Sequence, residues 1–181
     1  GWLALSAMAA GDNARAVEYL KPLAEAPDAS DDMRVSLARA QLGSGDHAGA
    51  RGTLAKLLPR LHEPKAKAGA HLLMAEALLG LELGEEAKAQ AEEALKLQPE
   101  GRINAEARLA NARALLVQER FDDAARAFMA VALLYDEKDL CPQALFLAEE
   151  AYLRAQNTVD AERARAERMR RYPDYKPPVS S

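Results

Sequence analysis

The sequence predicts an all-α protein built from about five repeated pairs of antiparallel helices, ten helices in all. The composition favours helices, because Ala is very common, Leu, Glu and Arg follow it, and aromatic residues make up only 5% of the chain. Small anchor residues also recur about every 37 residues, after a first step of about 34, and both spacings are typical of helical-pair repeats. The anchors are Ala16, Ala50, Ala87, Ala124 and Ala161.

Apolar periodicity and turn residues predict each helix in order. The first helix, over 2–10, is apolar nearly all round. The second helix, over 14–26, follows a Gly-Asp-Asn turn that offers an N-cap. Pro22 lies inside this second helix and is expected to bend it or end it. The other predicted helices span 32–42, 47–61, 65–81, 85–97, 104–118, 121–135, about 142–155 and 159–171.

Short polar residues stand where several of these helices need an N-cap. Ser30 or Asp31 is expected to cap the third helix, Asn104 the seventh and Thr158 the tenth. The chain ends in a Pro-rich, polar tail that is expected to be extended and flexible. The repeats span about 1–29, 30–64, 65–101, 102–139 and 140–173, which together form one solenoid domain over 1–173, and the tail spans 174–181.

Other residue types also recur at fixed distances from the anchors. Eight residues before each anchor the side chain is large and apolar, whereas ten and twelve residues before it the side chain is usually small. Small residues at a helix contact allow close packing, because the distance between helix axes follows side-chain size. The large column contains Met8, Leu42, Leu79, Leu116 and Leu153; the small columns contain Ser6, Ala40, Ala77, Ala114 and Ala151, and Ala4, Ala38, Ala75, Ala112 and, as an exception, Glu149.

Two further motifs complete the register. A Gly-Asp turn joins the paired helices at Gly11 and Gly45, and a Pro closes two of the repeats at Pro99 and Pro173. Together with the anchors, this pattern resembles the tetratricopeptide-repeat (TPR) family over residues 1 to about 173. The later repeats are about three residues longer than the commonest TPR length. The large residue four after the anchor is present as Leu20, Leu54 and Phe128 but replaced by Ala91 and Arg165.

The resemblance implies a right-handed α-solenoid from a bacterial TPR protein, or a segment of one, that acts as a scaffold or adaptor. In such a solenoid the first helices line the concave side. The resemblance therefore implies a groove that binds a peptide or helix of a partner protein. The groove is formed by the residues that stand fifteen, eleven and eight positions before each anchor from the second repeat to the fifth. These residues are Val35, Arg39, Leu42, Leu72, Glu76, Leu79, Leu109, Arg113, Leu116, Phe146, Glu150 and Leu153.

The central row of this groove alternates in charge, as Arg39, Glu76, Arg113 and Glu150. An apolar strip with alternating charges suits an amphipathic helix or an extended peptide, whose register the charges would set. The alternative is that the same residues pack neighbouring first helices together and that the Arg and Glu side chains pair with each other. The alternation does not match the carboxylate clamp of some TPR domains.

Both ends of the chain leave alternatives open. The last predicted helix is rich in arginine, which suits either a polar capping helix or an acidic partner. The first helix is apolar and carries Trp2, so we expect either preceding repeats before Gly1 or a homodimer contact at this end. Self-association is therefore the alternative function. The arginines are Arg163, Arg165, Arg168, Arg170 and Arg171.

Composition and motifs argue against other function classes. A net charge of −4 disfavours nucleic-acid binding, and no apolar run reaches the roughly 20 residues that membrane insertion needs. Cys141 is the single cysteine and is expected to be a structural thiol rather than a nucleophile. His47, His62 and His71 lack the spacing of metal ligands. We expect no enzyme activity and no cofactor, in a soluble protein of the bacterial cytoplasm or periplasm.

Overall fold

The computed structural model describes residues 2–177, except for the side chains of Leu5 and Met8. Within that range the chain forms ten α-helices, one short 3-10 helix and no strand. Consecutive helices pack as antiparallel pairs, which confirms the predicted all-α fold. The helices are α1 (Trp2–Ala9), α2 (Asn13–Ala24), α3 (Asp31–Gly43), α4 (His47–Leu57), α5 (Pro64–Gly80), α6 (Gly84–Lys96), α7 (Gly101–Val117), α8 (Phe121–Leu134), α9 (Leu140–Arg154) and α10 (Thr158–Arg171).

The same tight turn joins the two helices of every repeat. The residue five positions before each anchor has a positive φ, for example 81° at Gly45 and 57° at Glu119. The N–H of the next residue donates to the carbonyl oxygen five residues earlier, at 2.8 Å from Asp46 to Gln41. This is the Schellman arrangement, which satisfies carbonyls at the end of one helix and turns the chain directly into the next. The five turn residues with positive φ are Gly11, Gly45, Glu82, Glu119 and Gln156.

Only the first two of these turns contain the glycine that a left-handed conformation favours. The later three place Glu82, Glu119 and Gln156 in the same conformation, although an L-residue there costs about 1–2 kcal/mol. The sequence motif therefore revealed two turns, and the structure contains five. The hydrogen bonds of the turn and the packing of the two helices that it connects must offset the strain.

The predicted N-cap of α3 is confirmed, whereas those of α7 and α10 are wrong. Ser30 Oγ accepts a hydrogen bond from Met33 N at 3.2 Å, as expected for the cap of α3. Thr158 is the first residue of α10 rather than its cap, because the Asn157 side chain takes that role and accepts from Asp160 N at 3.2 Å.

The start of α7 also differs from the prediction. The helix begins at Gly101, so Asn104 lies inside its first turns rather than before them. The Asn104 amide donates to the Pro99 carbonyl oxygen at 2.7 Å, and its oxygen accepts from the Tyr135 hydroxyl. Asn104 therefore ties the preceding loop to the end of α8 instead of capping a helix.

Prolines lie at or just beyond the ends of two second helices, and both helices end earlier than predicted. Pro22 lies within α2, which continues to Ala24 before it ends. In the second repeat, α4 ends at Leu57 and the chain tightens into a 3-10 helix over Leu58–Arg60, which contains Pro59. Part of the predicted helix over 47–61 is thus a 3-10 turn.

The small columns mark the places where helices meet most closely. Their alanines in the central repeats are fully buried, and large side chains such as Leu54 and Phe128 fill the space beside them. Glu149, the exception in these columns, is accommodated in the last repeat by a salt bridge of 2.7 Å to Arg168. Both side chains of this pair are mostly buried, at 15% and 11% exposed. The fully buried column members are Ala38, Ala40, Ala75, Ala77, Ala112, Ala114 and Ala151.

The left-handed turns predict a stabilising substitution at Glu119, whose side chain is exposed. Glu119→Gly should relieve about 1–2 kcal/mol of backbone strain, less about 0.5–1 kcal/mol for the added freedom of the unfolded chain. We expect a net gain of roughly 0.5–1 kcal/mol, or a few degrees in melting temperature. Thermal unfolding followed by circular dichroism measures it.

Glu119→Ala is the matched control, because it removes the same side chain without favouring a positive φ. It should give no gain, and Gly45→Ala should lower the melting temperature. Equal melting temperatures for the Gly and Ala variants at position 119 would show that the turn is unstrained.

Candidate functional site

The first helices of the repeats form a continuous row in which α5 packs against α3 and α7, and α7 packs against α9. All twelve predicted groove residues lie on these four helices. We call the surface that carries them the first-helix face. Because the same columns of each repeat supply its residues, this surface runs along the chain from the second repeat to the fifth.

Two shallow depressions lie on this face. One, of about 460 Å³, is formed mainly by the ends of α3 and α5 and the start of α4. The other, of about 250 Å³, lies along α5, α7 and the start of α9. Both are bordered by Glu76 and Arg113, so these two side chains stand between the depressions.

Glu76 and Arg113 form a direct ion pair between neighbouring first helices. Arg113 Nη1 donates to Glu76 Oε2 at 2.8 Å, and the Arg113 and Glu76 side chains remain 39% and 32% exposed. The outer charges of the row behave differently. Neither Arg39 nor Glu150 takes part in a salt bridge with any residue that the structure describes. Among the described residues, the alternating row therefore contains one internal pair and two outer charges without a salt-bridge partner.

The apolar residues of the predicted groove divide by burial. Three of them, Leu72, Leu79 and Leu109, are only 5–8% exposed and pack in the core between repeats. Leu153 is 52% exposed. The remaining four are half-buried at the surface, where a partner could contact them without displacing the core: Val35, Leu42, Leu116 and Phe146.

The depressions include residues that the sequence prediction missed. Glu106 and Gln143 border the second depression, and each lies three residues before a predicted groove residue, which places it on the same side of its helix. A further column of groove residues, placed three positions before the first one, would have included both. The glycines Gly43 and Gly80 at the ends of α3 and α5 border the first depression.

His47 also borders the first depression, and no local sequence signal indicated it. Its ring packs over Gly80 so closely that a Cβ at that position would collide with it. The same relation holds one repeat earlier, where the Asn13 side chain packs over Gly43. His47 Nδ1 is buried and has no hydrogen-bond partner among the described residues.

The fifth repeat closes the row with aromatic and charged contacts. The Arg168 guanidinium lies 5.6 Å from the centre of the Phe146 ring, a cation–π geometry. The described part of the tail turns back, as Tyr175 N donates to Tyr172 O at 3.1 Å and the Tyr175 ring is half-buried. Burial raises the pKa of the Tyr175 phenol; the charge of Arg168 opposes this shift and that of Glu150 adds to it. Residues 178–181 of the predicted flexible tail lie outside the described residues.

Most arginines of α10 are neutralised within the chain. Arg163 pairs with Asp160 at 2.9 Å, and Arg170 pairs with Glu167 at 2.8 Å. Arg171 donates to the Ala132 carbonyl oxygen at 2.8 Å, near the end of α8. These contacts favour the interpretation of α10 as a polar capping helix.

Groups with chemical reactivity are separate and engaged in packing. Cys141 is buried, and its thiol donates to the Tyr135 carbonyl oxygen at 3.3 Å. His71 Nδ1 lies 2.8 Å from Gln90 Oε1. Within residues 2–177, no group of three or more His, Cys, Asp or Glu side chains is arranged to hold a metal ion. None of the described helices has the length and apolar character that crossing a membrane requires.

Comparison with known proteins agrees with this architecture. Two tetratricopeptide-repeat family models match the chain, one over residues 7–69 and the other over residues 72–133. The chain is a TPR protein. No sequence of curated function matches it significantly. The TPR scaffold is typically non-catalytic, and its repeats are generally protein-interaction modules.

Solved structures of bacterial TPR proteins share this fold at low sequence identity. The thermophilic TPR protein TTC0263 of Thermus thermophilus aligns with a TM-score of 0.71 and 19% identity, over 95% of this chain and 89% of that chain. MamA AMB-1 aligns with a TM-score of 0.65 and 17% identity, over 96% and 90% of the two chains. At identities this low, the structural alignments show a shared fold alone.

The exposure of the Glu76–Arg113 pair predicts a small energetic coupling. A double-mutant cycle with Glu76→Gln and Arg113→Gln should give about 0.2–1 kcal/mol in the free energy of unfolding, the range of partly exposed ion pairs. Urea denaturation measures it. Because salt screens exposed charges, the coupling should shrink in about 1 M NaCl. A coupling of zero at low salt would mean that the two side chains do not pair in solution.

Proposed function

We propose that this TPR protein is a scaffold or adaptor whose first-helix face binds a peptide or an amphipathic helix of a partner protein. The observation that carries the proposal is the continuity of this face across four repeats, with half-buried apolar side chains beside charged ones. Such a surface offers apolar anchors that are only partly exposed, so the protein remains stable while the anchors are available.

The apolar and the charged residues of the first-helix face would have different roles in binding the partner. Leu42, Leu116, Phe146 and Leu153 would bury apolar surface of the partner, which supplies most of the affinity. The charged row would set the position of the partner along the face, because a shifted segment would place like charges together. This function requires neither a cofactor nor a metal ion.

Two leucines of the first-helix face test the proposal directly. Leu116→Glu combined with Leu153→Glu should abolish capture of the partner from a lysate of the source organism, because two carboxylates would stand where apolar surface must be buried. Mass spectrometry of the captured proteins measures the loss. Leu72 and Leu109 are unsuitable for this test, since they are buried and a charge there would unfold the chain.

The matched control uses two leucines on a second helix. Leu133 and Leu134 of α8 are each 66% exposed, so Leu133→Glu with Leu134→Glu makes the same chemical change away from the first-helix face. Circular dichroism should show native helix content for both double variants. A partner that is lost only with the α8 variant would refute binding at the first-helix face.

Self-association through α1 is a second candidate function, because two large apolar side chains of this helix are exposed. Trp2 is 78% exposed and Leu3 is 55% exposed on a helix whose Ala4 and Ala7 are buried. An exposed tryptophan beside an exposed leucine is an energetically costly surface in water, and a second copy of the chain would cover it.

The single tryptophan makes this alternative measurable. If α1 is the contact, concentrating the protein should shift Trp2 emission to shorter wavelength while light scattering reports a doubled mass. Leu3→Glu should suppress both changes, because it places a charge in the apolar contact. A constant monomer mass across the dilution series would exclude self-association.

A further inference from the structure

The two outer charges of the row, Arg39 and Glu150, lack salt-bridge partners among the described residues, whereas the two inner charges pair with each other. The neighbouring opposite charge in the row is Glu76, and its carboxylate pairs with Arg113 rather than with Arg39. Arg39 therefore presents its guanidinium to solvent at the second repeat.

Glu150 is in the corresponding position at the fifth repeat. Arg154 lies one helical turn later but extends over the Phe121 ring, 6.0 Å from its centre. Arg168 is held by Glu149 at 2.7 Å. Glu150 thus makes no salt bridge with a described residue and remains half-buried on the first-helix face.

These observations make the first-helix face electrically asymmetric. A cation stands near one end, a neutralised pair occupies the middle and an anion stands near the other end. Resting on the proposed function, we infer that the partner is a segment with an acidic side chain that binds Arg39 and a basic side chain that binds Glu150. Such a segment binds in one direction only, because the reversed segment would bring like charges together at both ends.

The packing of the first helices sets the spacing of these two charges in the partner. Arg39 on α3 and Glu150 on α9 are separated by three steps between neighbouring first helices, each of about 8–10 Å, or roughly 25–30 Å in total. An extended peptide, with a rise of about 3.3 Å per residue, spans this distance in about eight residues. A helix, with a rise of about 1.5 Å, needs about eighteen residues.

Selection from a displayed random library of peptides about 20 residues long, with the intact chain as bait, tests the inference. Enriched peptides should contain an acidic and a basic residue in one fixed order, at one of the two spacings. Binding of a selected synthetic peptide, followed by fluorescence anisotropy, should weaken about tenfold or more with Arg39→Glu and likewise with Glu150→Arg. Replacing the acidic residue of the peptide by Lys should restore binding to the Arg39→Glu variant.

Two exposed residues on second helices provide matched controls. Arg51 on α4 and Glu162 on α10 carry the same charges and make no salt bridge with the described residues, so Arg51→Glu and Glu162→Arg should leave the affinity within about twofold.

The outcomes separate this inference from the proposed function. If Leu116→Glu with Leu153→Glu abolishes peptide binding but reversal of Arg39 and Glu150 has no effect, the charge assignment is wrong and the proposed function stands. If peptides bind equally well to the leucine variant, or none is enriched, both are refuted.

Discussion

One backbone conformation underlies the whole solenoid: the left-handed residue that ends each first helix. Because this residue and its successor close the Schellman hydrogen bonds, the second helix starts almost immediately and must run antiparallel to the first. The turn occurs five residues before every anchor, with glycine at Gly45 and with a glutamate at Glu119. Repeating one turn at one position keeps the alanine columns in register, so the helices meet where they have no bulky side chains.

Close packing at the alanine columns then decides what the first-helix face can offer. Where alanines bring neighbouring helices together, the leucines beside them enter the core, as Leu72 and Leu109 do. In the column eight residues before the anchors, Leu79 is also buried, whereas Leu116 and Leu153 stay partly or largely exposed. Some of the groove residues therefore pack neighbouring repeats together, and others remain at the surface, where the proposed partner would contact them.

Electrostatics adds a direction to an otherwise repetitive surface. The four charges of the central row alternate at equivalent positions, and a regular array could pair them two by two. The chain instead pairs the middle two, Glu76 and Arg113, at 2.8 Å. A neutral centre with opposite charges near its ends distinguishes one direction along the face from the other, which a row of apolar side chains cannot do.

The sequence by itself determined the ten paired helices and most of the buried columns, because helix propensity, periodicity and anchor spacing are local or strictly repeated properties. The sequence could also have indicated the turns at Glu82 and Gln156, because these residues, like Gly45, lie five positions before an anchor. Only the tertiary structure decided that Glu76 pairs with Arg113 rather than Arg39, and that His47 packs over Gly80. These contacts depend on the distance and rotation between helices of different repeats, which no local pattern specifies.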